Sequence, residues 1–66
     1  MSQKEMILDS LKAGHKLTEL KMLVMFGAMA GAQRIANLRA DGHPIQKKMI
    51  KTRSGKYVAE YYLNLD

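Results

Sequence analysis

The change of hydrophobic period around Gly42 and Pro44 constrains this chain most. Before Gly42 the apolar residues recur at helical spacing, whereas two segments after Pro44 alternate with the period of a strand. Proline opposes helix continuation, and residues 45–51 and 57–63 are rich in β-branched and aromatic side chains. Residues 52–56 join the two segments and supply a glycine for the turn. The sequence therefore predicts an α+β fold in which helices precede a two-stranded β-hairpin.

Two capping signals place the first two helices. Ser2 and Glu5 have the spacing at which each side chain caps the other's backbone amide, which predicts a helix over residues 3–13. Thr18 has the position and chemistry of a second N-cap, which predicts a helix over residues 19–26 after a short extended connection.

The predicted second helix is apolar on most of its circumference. We expect an inward stripe on this helix, broadened by further apolar side chains, and therefore a helix that is covered on most sides. The expected stripe is Leu20, Leu23 and Val24, and the broadening residues are Met22, Met25 and Phe26.

A third helical pattern follows Gly27 and ends at Gly42. Gly31, Ile35 and Leu38 share one face of it, and small residues around Gly31 permit a close crossing with the second helix. The opposite, solvent-facing side then carries Ala30, Gln33, Arg34 and Asn37.

The hairpin has two possible registers on its first strand. Either Ile45 and Met49 face the core, with Gln46, Lys48 and Ile50 outward, or the register is reversed around Ile50. On the second strand we expect the core-facing set to be Ala59, Tyr61 and Leu63, because Glu60 then points to water.

The net charge of +5 is concentrated in one segment. Residues 1–29 balance to +1 and residues 57–66 to −2, whereas residues 30–56 reach +6 with Asp41 as the only acid. The cations of that segment are Arg34, Arg39, Lys47, Lys48, Lys51, Arg53 and Lys56. A polyanion such as nucleic acid is the simplest partner for such a segment, although a solvated basic surface has the same composition.

Residues 17–63 resemble the small winged helix-turn-helix proteins of bacteriophages and prophages. The resemblance rests on Leu17-Thr18 opening helix 2, Arg34-Ile35 and Leu38-Arg39 in helix 3, Asp41-Gly42-His43-Pro44-Ile45 before the wing, and residues 52–56 at its tip. It implies double-stranded DNA as the partner and a role in control of transcription or of prophage excision. In such domains helix 3 enters the major groove and the hairpin reaches adjacent phosphates.

The turn before helix 3 departs from the tightest helix-turn-helix units. In the tight form, buried aliphatic residues follow the turn glycine at about six and nine residues. Counted from Gly27, the aliphatic residues Ile35 and Leu38 come about two residues later. We therefore expect a longer turn.

The candidate DNA-binding residues divide into two groups. Gln33, Arg34 and Asn37 suit base edges, because arginine pairs with guanine and the amides with adenine. Arg39 either reaches a phosphate or pairs with Asp41. The hairpin candidates for phosphate contacts are Lys47, Lys48, Lys51, Arg53, Ser54 and Lys56.

Several function classes lack their residues. The sequence has no cysteine, and its two histidines lack the neighbours that a zinc site needs, so we expect no metal and no cofactor. The sequence has no cysteine nucleophile, no glycine-rich phosphate loop before a helix and no carboxylate pair on one face with a histidine, so we do not expect an enzyme. The apolar stretch 20–32 is too short to span a bilayer. We expect one domain over residues 1–66, located in the cytoplasm.

A protein-interaction module is the alternative function. Met22, Met25 and Met29 cluster near the junction of helices 2 and 3, and a Met-rich apolar surface suits binding to a host protein. Exposure of Met22, Met25 and Phe26 would favour this alternative. For DNA binding, we expect a homodimer or cooperative assembly, because one copy reads only a few base pairs.

Overall fold

The computed structural model describes residues 2–64, which form three helices and three strands. The elements are α1 (Gln3–Lys12), β1 (Leu17–Thr18), α2 (Glu19–Phe26), α3 (Gly31–Ala40), β2 (Ile45–Lys51) and β3 (Tyr57–Leu63). The predicted order of helices and hairpin is confirmed, and the predicted bounds of α2, β2 and β3 agree with the structure. Helix α1 ends one residue earlier than predicted, with Ala13 as its C-cap.

The predicted N-caps are formed. The Glu5 backbone N–H donates to Ser2 Oγ over 3.1 Å, and the Lys21 backbone N–H donates to Thr18 Oγ1 over 3.2 Å. Helix α2 ends at Gly27, whose φ of 68° lies in the left-handed region that favours glycine. Local capping chemistry therefore sets the start of both helices and the end of α2.

The sheet has three strands, so the prediction of a two-stranded wing is wrong. Strand β1 adds to the hairpin in the order β1-β3-β2, with Leu17 opposite Tyr61 and Thr18 opposite Glu60. The third strand forms because Leu17 and Tyr61 are both buried in the core, where their backbone groups need hydrogen-bond partners. The chain then passes directly from β1 into α2. The expected extended connection is thus a short strand.

The buried Ile45 supports the register in which Ile45 and Met49 share the helix side, but Met49 itself is exposed and Ile50, expected outward in that register, is half-buried. Ile45 lies opposite Leu63, and Met49 lies opposite Ala59. Tyr61 is buried and Ala59 and Leu63 are half-buried, as expected for the core-facing side of β3. The expectation that Glu60 points to water is wrong, because its side chain is only 14% exposed. Burial decreases toward the turn, since Ile45 is buried whereas Met49 is 55% exposed. The outer half of the hairpin is therefore more solvated than its base.

The core joins α1, α3 and the base of the sheet. Its buried apolar residues are Ile7, Leu11, Leu17, Met22, Ala28, Ile35, Leu38, Ile45 and Tyr61. Leu8, Phe26, Ala59 and Leu63 pack against this cluster.

The predicted inward stripe of α2 is wrong. Met22 is buried, whereas Leu20 is 68% exposed and Val24 is 75% exposed. The cause is the close crossing with α3: a Cβ at Gly31 would lie 2.8 Å from Met22 Cε. Docking through Met22 turns the opposite side of this short helix to solvent. Helix α2 is therefore covered on one side, not on most sides.

Candidate nucleic-acid interface

Helix α3 presents its polar residues away from the core. Gly31, Ile35 and Leu38 are buried, as their spacing predicts. Gln33 is exposed, and Arg34 and Asn37 are half-buried. The predicted base-reading residues therefore lie off the core face, but only Gln33 is fully solvent-facing as predicted, since Arg34 and Asn37 lie beside the first turn of α1.

The two amides of this face are hydrogen-bonded to each other. Gln33 Nε2 donates to Asn37 Oδ1 over 3.2 Å, which is a contact between successive turns of the helix. The pair keeps a carbonyl acceptor on Gln33 and an amide donor on Asn37. An acceptor beside a donor is complementary to the major-groove edge of adenine.

Arg34 lies in an open groove between α3 and the beginning of α1. The groove has a volume of about 580 Å³ and is lined by Ser2, Gln3, Lys4, Glu5, Arg34 and Asn37. Within the described part of the chain, the Arg34 guanidinium makes no hydrogen bond and no ion pair. Its donors therefore remain available for a ligand. The sequence analysis did not predict that the first turn of α1 lines this groove, since no local pattern reports such long-range packing.

Arg39 points to the other flank of α3. Its Nε donates to the Ile45 carbonyl over 3.1 Å, which ties α3 to the base of the hairpin. The alternative pairing of Arg39 with Asp41 is not formed, because Asp41 accepts from Lys4 Nζ over 2.8 Å. The hydrogen bond from Lys4, and next its charge, lower the pKa of the Asp41 carboxyl below its ordinary value.

The hairpin cations lie on two faces of the sheet. Strand alternation places Lys47 and Lys51 on the helix side, with Met49. Lys48 lies on the opposite side, where its Nζ is 3.8 Å from Glu60 Oε1. The predicted set is thus divided, and Lys48 faces away from Lys47 and Lys51.

The turn collects the remaining hairpin candidates. Arg53, Ser54 and Lys56 are exposed, and the Ser54 hydroxyl is 2.9 Å from the Thr52 hydroxyl. Neither Arg53 nor Lys56 makes an ion pair with any residue from 2 to 64. Gly55 has a φ of 86°, the conformation that the predicted turn requires. The tip therefore presents two free cations.

The turn between α2 and α3 is held from α1. Gln3 Nε2 lies 3.3 Å from the Phe26 carbonyl and 3.2 Å from the Gly27 carbonyl, and it donates to both. Ala28 is buried, and α3 begins at Gly31. Because α3 begins at Gly31, Ile35 and Leu38 lie on its inward face.

The exposed apolar surface differs from the Met-rich surface of the alternative hypothesis. Met22 is buried and Phe26 is half-buried, whereas Met25 is 56% exposed. The other large exposed apolar residues are Leu20, Leu23, Val24, Met29, Met49 and Tyr57. Of the three residues whose exposure would favour the alternative, only Met25 is therefore exposed. The exposed apolar surface is made by α2 together with the hairpin.

Membrane-spanning and metal-binding features were the other two possibilities raised by the composition. None of the helices in residues 2–64 has the length and apolar character needed to cross a membrane. The same residues contain no group of three histidine, cysteine, aspartate or glutamate side chains placed to hold a metal ion.

Comparison with known proteins identifies one family. A family model described as a winged helix-turn-helix domain matches residues 2–65. No curated protein and no solved structure gives a significant match. The family match covers α1, the two following helices and the whole hairpin.

Proposed function

The chain belongs to the winged helix-turn-helix domain family, and we propose that it is a regulatory DNA-binding protein of the kind that phages and prophages encode. Family membership implies DNA binding; the proposal adds control of transcription or of prophage excision. In this proposal α3 occupies the major groove and the hairpin contacts phosphates. The observation that carries it is the Gln33–Asn37 amide pair next to the unpaired Arg34.

The reading function of α3 is supported by its side-chain chemistry. The amide pair offers an acceptor and a donor to an adenine, and Arg34 offers a bidentate donor pair to a guanine. The remaining exposed residues of this helix include Ala32, Ala36 and Ala40, whose small side chains allow close approach to base edges. We therefore expect a preferred site that contains adenine and guanine in neighbouring positions.

The hairpin supplies affinity in this proposal. Lys47, Lys51, Arg53 and Lys56 are solvated cations without ion pairs in the described chain, which suits phosphate contacts. The Ser54 hydroxyl, which is hydrogen-bonded to the Thr52 hydroxyl, adds a polar group at the tip. We expect smaller contributions to DNA affinity from Lys48, which faces Glu60, and from Arg39, whose Nε donates a hydrogen bond to the Ile45 carbonyl.

The proposal assigns the chain a binding role and no catalytic step. One α3 reads only a few base pairs, so we propose that two copies bind together, as a homodimer or cooperatively on adjacent sites. Such pairing would lengthen the recognised sequence. A chain without pairing would discriminate poorly among competing genomic sites.

Selection from randomised duplex DNA, followed by sequencing of the bound fraction, tests the proposal. The expected result is an enriched motif containing adenine and guanine, with the adenine preference relaxed in Asn37→Ala. The matched control is Lys12→Ala, on the exposed side of α1 and outside the proposed interface. Enrichment of no sequence by the folded protein would contradict base reading by α3.

A protein-interaction module remains the second candidate function. The observation that favours it is the exposure of Leu20 and Val24 on α2. Absence of binding to any duplex at ~50 mM salt, where phosphate contacts are strongest, would favour this candidate over DNA binding.

A further inference from the structure

Strand β3 has one edge that its neighbours leave incomplete. Strand β2 pairs along the whole of β3, but β1 pairs only with Glu60 and Tyr61. Residues 57–59 therefore have a strand on one side and none on the other. The chain leaves the sheet here because Thr18 caps α2.

The unpaired edge presents backbone hydrogen-bonding groups. The Thr52 N–H donates to the Lys56 carbonyl over 2.7 Å, which identifies this opposed pair as hydrogen-bonded. Because such pairs alternate along antiparallel strands, Val58 bonds toward β2, whereas Tyr57 and Ala59 direct their N–H and C=O groups to the free edge. Among residues 2–64 these groups have no strand partner. An added strand would satisfy them.

An apolar groove runs beside this edge. It has a volume of about 420 Å³ and lies between the first turn of α2 and the outer half of the hairpin. Its apolar lining consists of Leu20, Met49, Ile50, Tyr57, Val58 and Ala59. Leu20 and Tyr57 are each about two-thirds exposed, at 68% and 65%. A strand along the edge would remove these side chains from water.

The charge around the groove selects the occupant. Lys51, Arg53 and Lys56 do not line the groove, and they make no ion pairs in the described chain. They are chain neighbours of the lining residues Ile50, Thr52 and Tyr57. Glu19 is the one acidic residue of the lining. A second copy of this cationic chain would bring the same like charges together. An extended peptide with acidic and apolar residues would instead complement both the cations and the apolar lining.

We propose that this groove binds an extended acidic and apolar segment of a partner protein as an added strand on β3. The backbone of that segment pairs with Tyr57 and Ala59, and an apolar side chain contacts Leu20. None of the outward residues of α3 lines the groove, so the site shares with the proposed DNA-binding surface only the neighbouring cations Lys51, Arg53 and Lys56. It is therefore a second binding function, and its test needs no DNA.

The test uses a labelled peptide of about nine residues in which valine alternates with glutamate, long enough to span the free edge. We expect saturable binding by fluorescence anisotropy, with amide NMR shifts centred on Tyr57 and Ala59. N-methylation of the peptide amides that face β3 should weaken binding about tenfold or more, because at least two hydrogen bonds are lost. N-methylation of the alternate amides, which face solvent, is the matched peptide control.

Protein variants locate the site. Leu20→Glu should weaken peptide binding about tenfold, which corresponds to about 1.4 kcal/mol. Val24→Glu is the control, because Val24 is exposed on the same helix but does not line the groove. Both positions are solvated, so circular dichroism should show folded protein.

Three outcomes would overturn the proposal. The first is equal binding of the two N-methylated peptides, which would exclude strand addition. The second is equal binding of a peptide with lysine in place of glutamate, or equal loss from Leu20→Glu and Val24→Glu. The third is concentration-dependent self-association of the peptide-free protein through the same amides, which would assign the groove to a second copy.

Discussion

Helix α3 and the hairpin carry most of the positive charge, but they hold it in different ways. On α3 the polar side chains rise from a helix docked by Ile35 and Leu38, and Gln33 and Asn37 fix each other by a hydrogen bond. On the hairpin, Lys51 is exposed on a strand whose burial decreases toward the tip. One element therefore carries side chains held by packing and hydrogen bonding, and the other carries solvent-exposed charge.

This difference matches the two tasks of a DNA-binding surface. Hydrogen bonds to base edges depend on the position and angle of each donor, so they need side chains on a packed element. Phosphate contacts tolerate variation because a lysine ammonium acts as a point charge on a flexible stem. We therefore expect substitutions in α3 to change which sequence is bound, and substitutions in the hairpin to change how tightly any duplex is bound.

The largest expected effect comes from removing the docking of α3. Ile35→Ala should lower the free energy of unfolding by about 2–5 kcal/mol, because it deletes buried methyl groups and leaves a cavity. Met49→Ala is the comparison in the hairpin, and since Met49 is 55% exposed the loss should be less than about 1 kcal/mol. Urea denaturation followed by circular dichroism measures both. Equal losses would show that the outer hairpin is as important to folding as α3.

The next effect separates base reading from charge. Arg34→Ala should weaken binding to the preferred duplex by about 1–3 kcal/mol and should relax discrimination at the bases that Arg34 contacts. Arg53→Ala should instead weaken preferred and random duplexes by similar factors. Titrations of both duplexes with variants shown to be folded make the comparison. If Arg34→Ala weakened all duplexes equally and Arg53→Ala altered base preference, the hairpin and not α3 would be the element that reads the DNA major groove.

A smaller effect distinguishes the two faces of the hairpin. Binding to duplex DNA should follow salt with a slope of about −4 to −5 in log K against log salt, as expected for four to six phosphate contacts. Lys51→Ala should reduce the magnitude of the slope by about one, whereas Lys48→Ala should change it less, because Lys48 faces Glu60. Affinity measurements across a salt series test this. Equal slopes for the two variants would contradict the division of the hairpin cations.

The smallest effect concerns an anchor that α3 has and the hairpin tip lacks. Lys4 of α1 pairs with Asp41 at the end of α3, and this lowers the Asp41 pKa. Because the folded pKa is depressed, the stability from this pair is present above the unfolded pKa and is lost as pH falls through the folded pKa.

Lys4→Met should return the Asp41 pKa toward its ordinary value and remove this part of the acid dependence. An NMR titration of the Asp41 carboxyl measures the change, with Lys12→Met as the control. An unchanged Asp41 pKa in Lys4→Met would show that another group lowers it.

Local sequence determined most element boundaries and the buried face of α3. The N-caps Ser2 and Thr18 and the glycine at 27 act on neighbouring backbone groups, so their effect is visible in a few consecutive residues. The same holds for α3, where Ile35 and Leu38 are separated from polar residues by helical periodicity. The candidate base-reading residues follow from that face alone.

Tertiary structure decided the features that depend on distant partners. Helix α2 is apolar almost all round, so its periodicity does not specify which side is buried; the contact of Met22 with Gly31 does. Three other features likewise depend on which elements meet. They are strand β1, the hydrogen bond from Arg39 to the Ile45 carbonyl, and the pairing of Lys48 with Glu60. A local pattern shows which residues share a face, whereas the packing of the whole chain decides which element lies against that face.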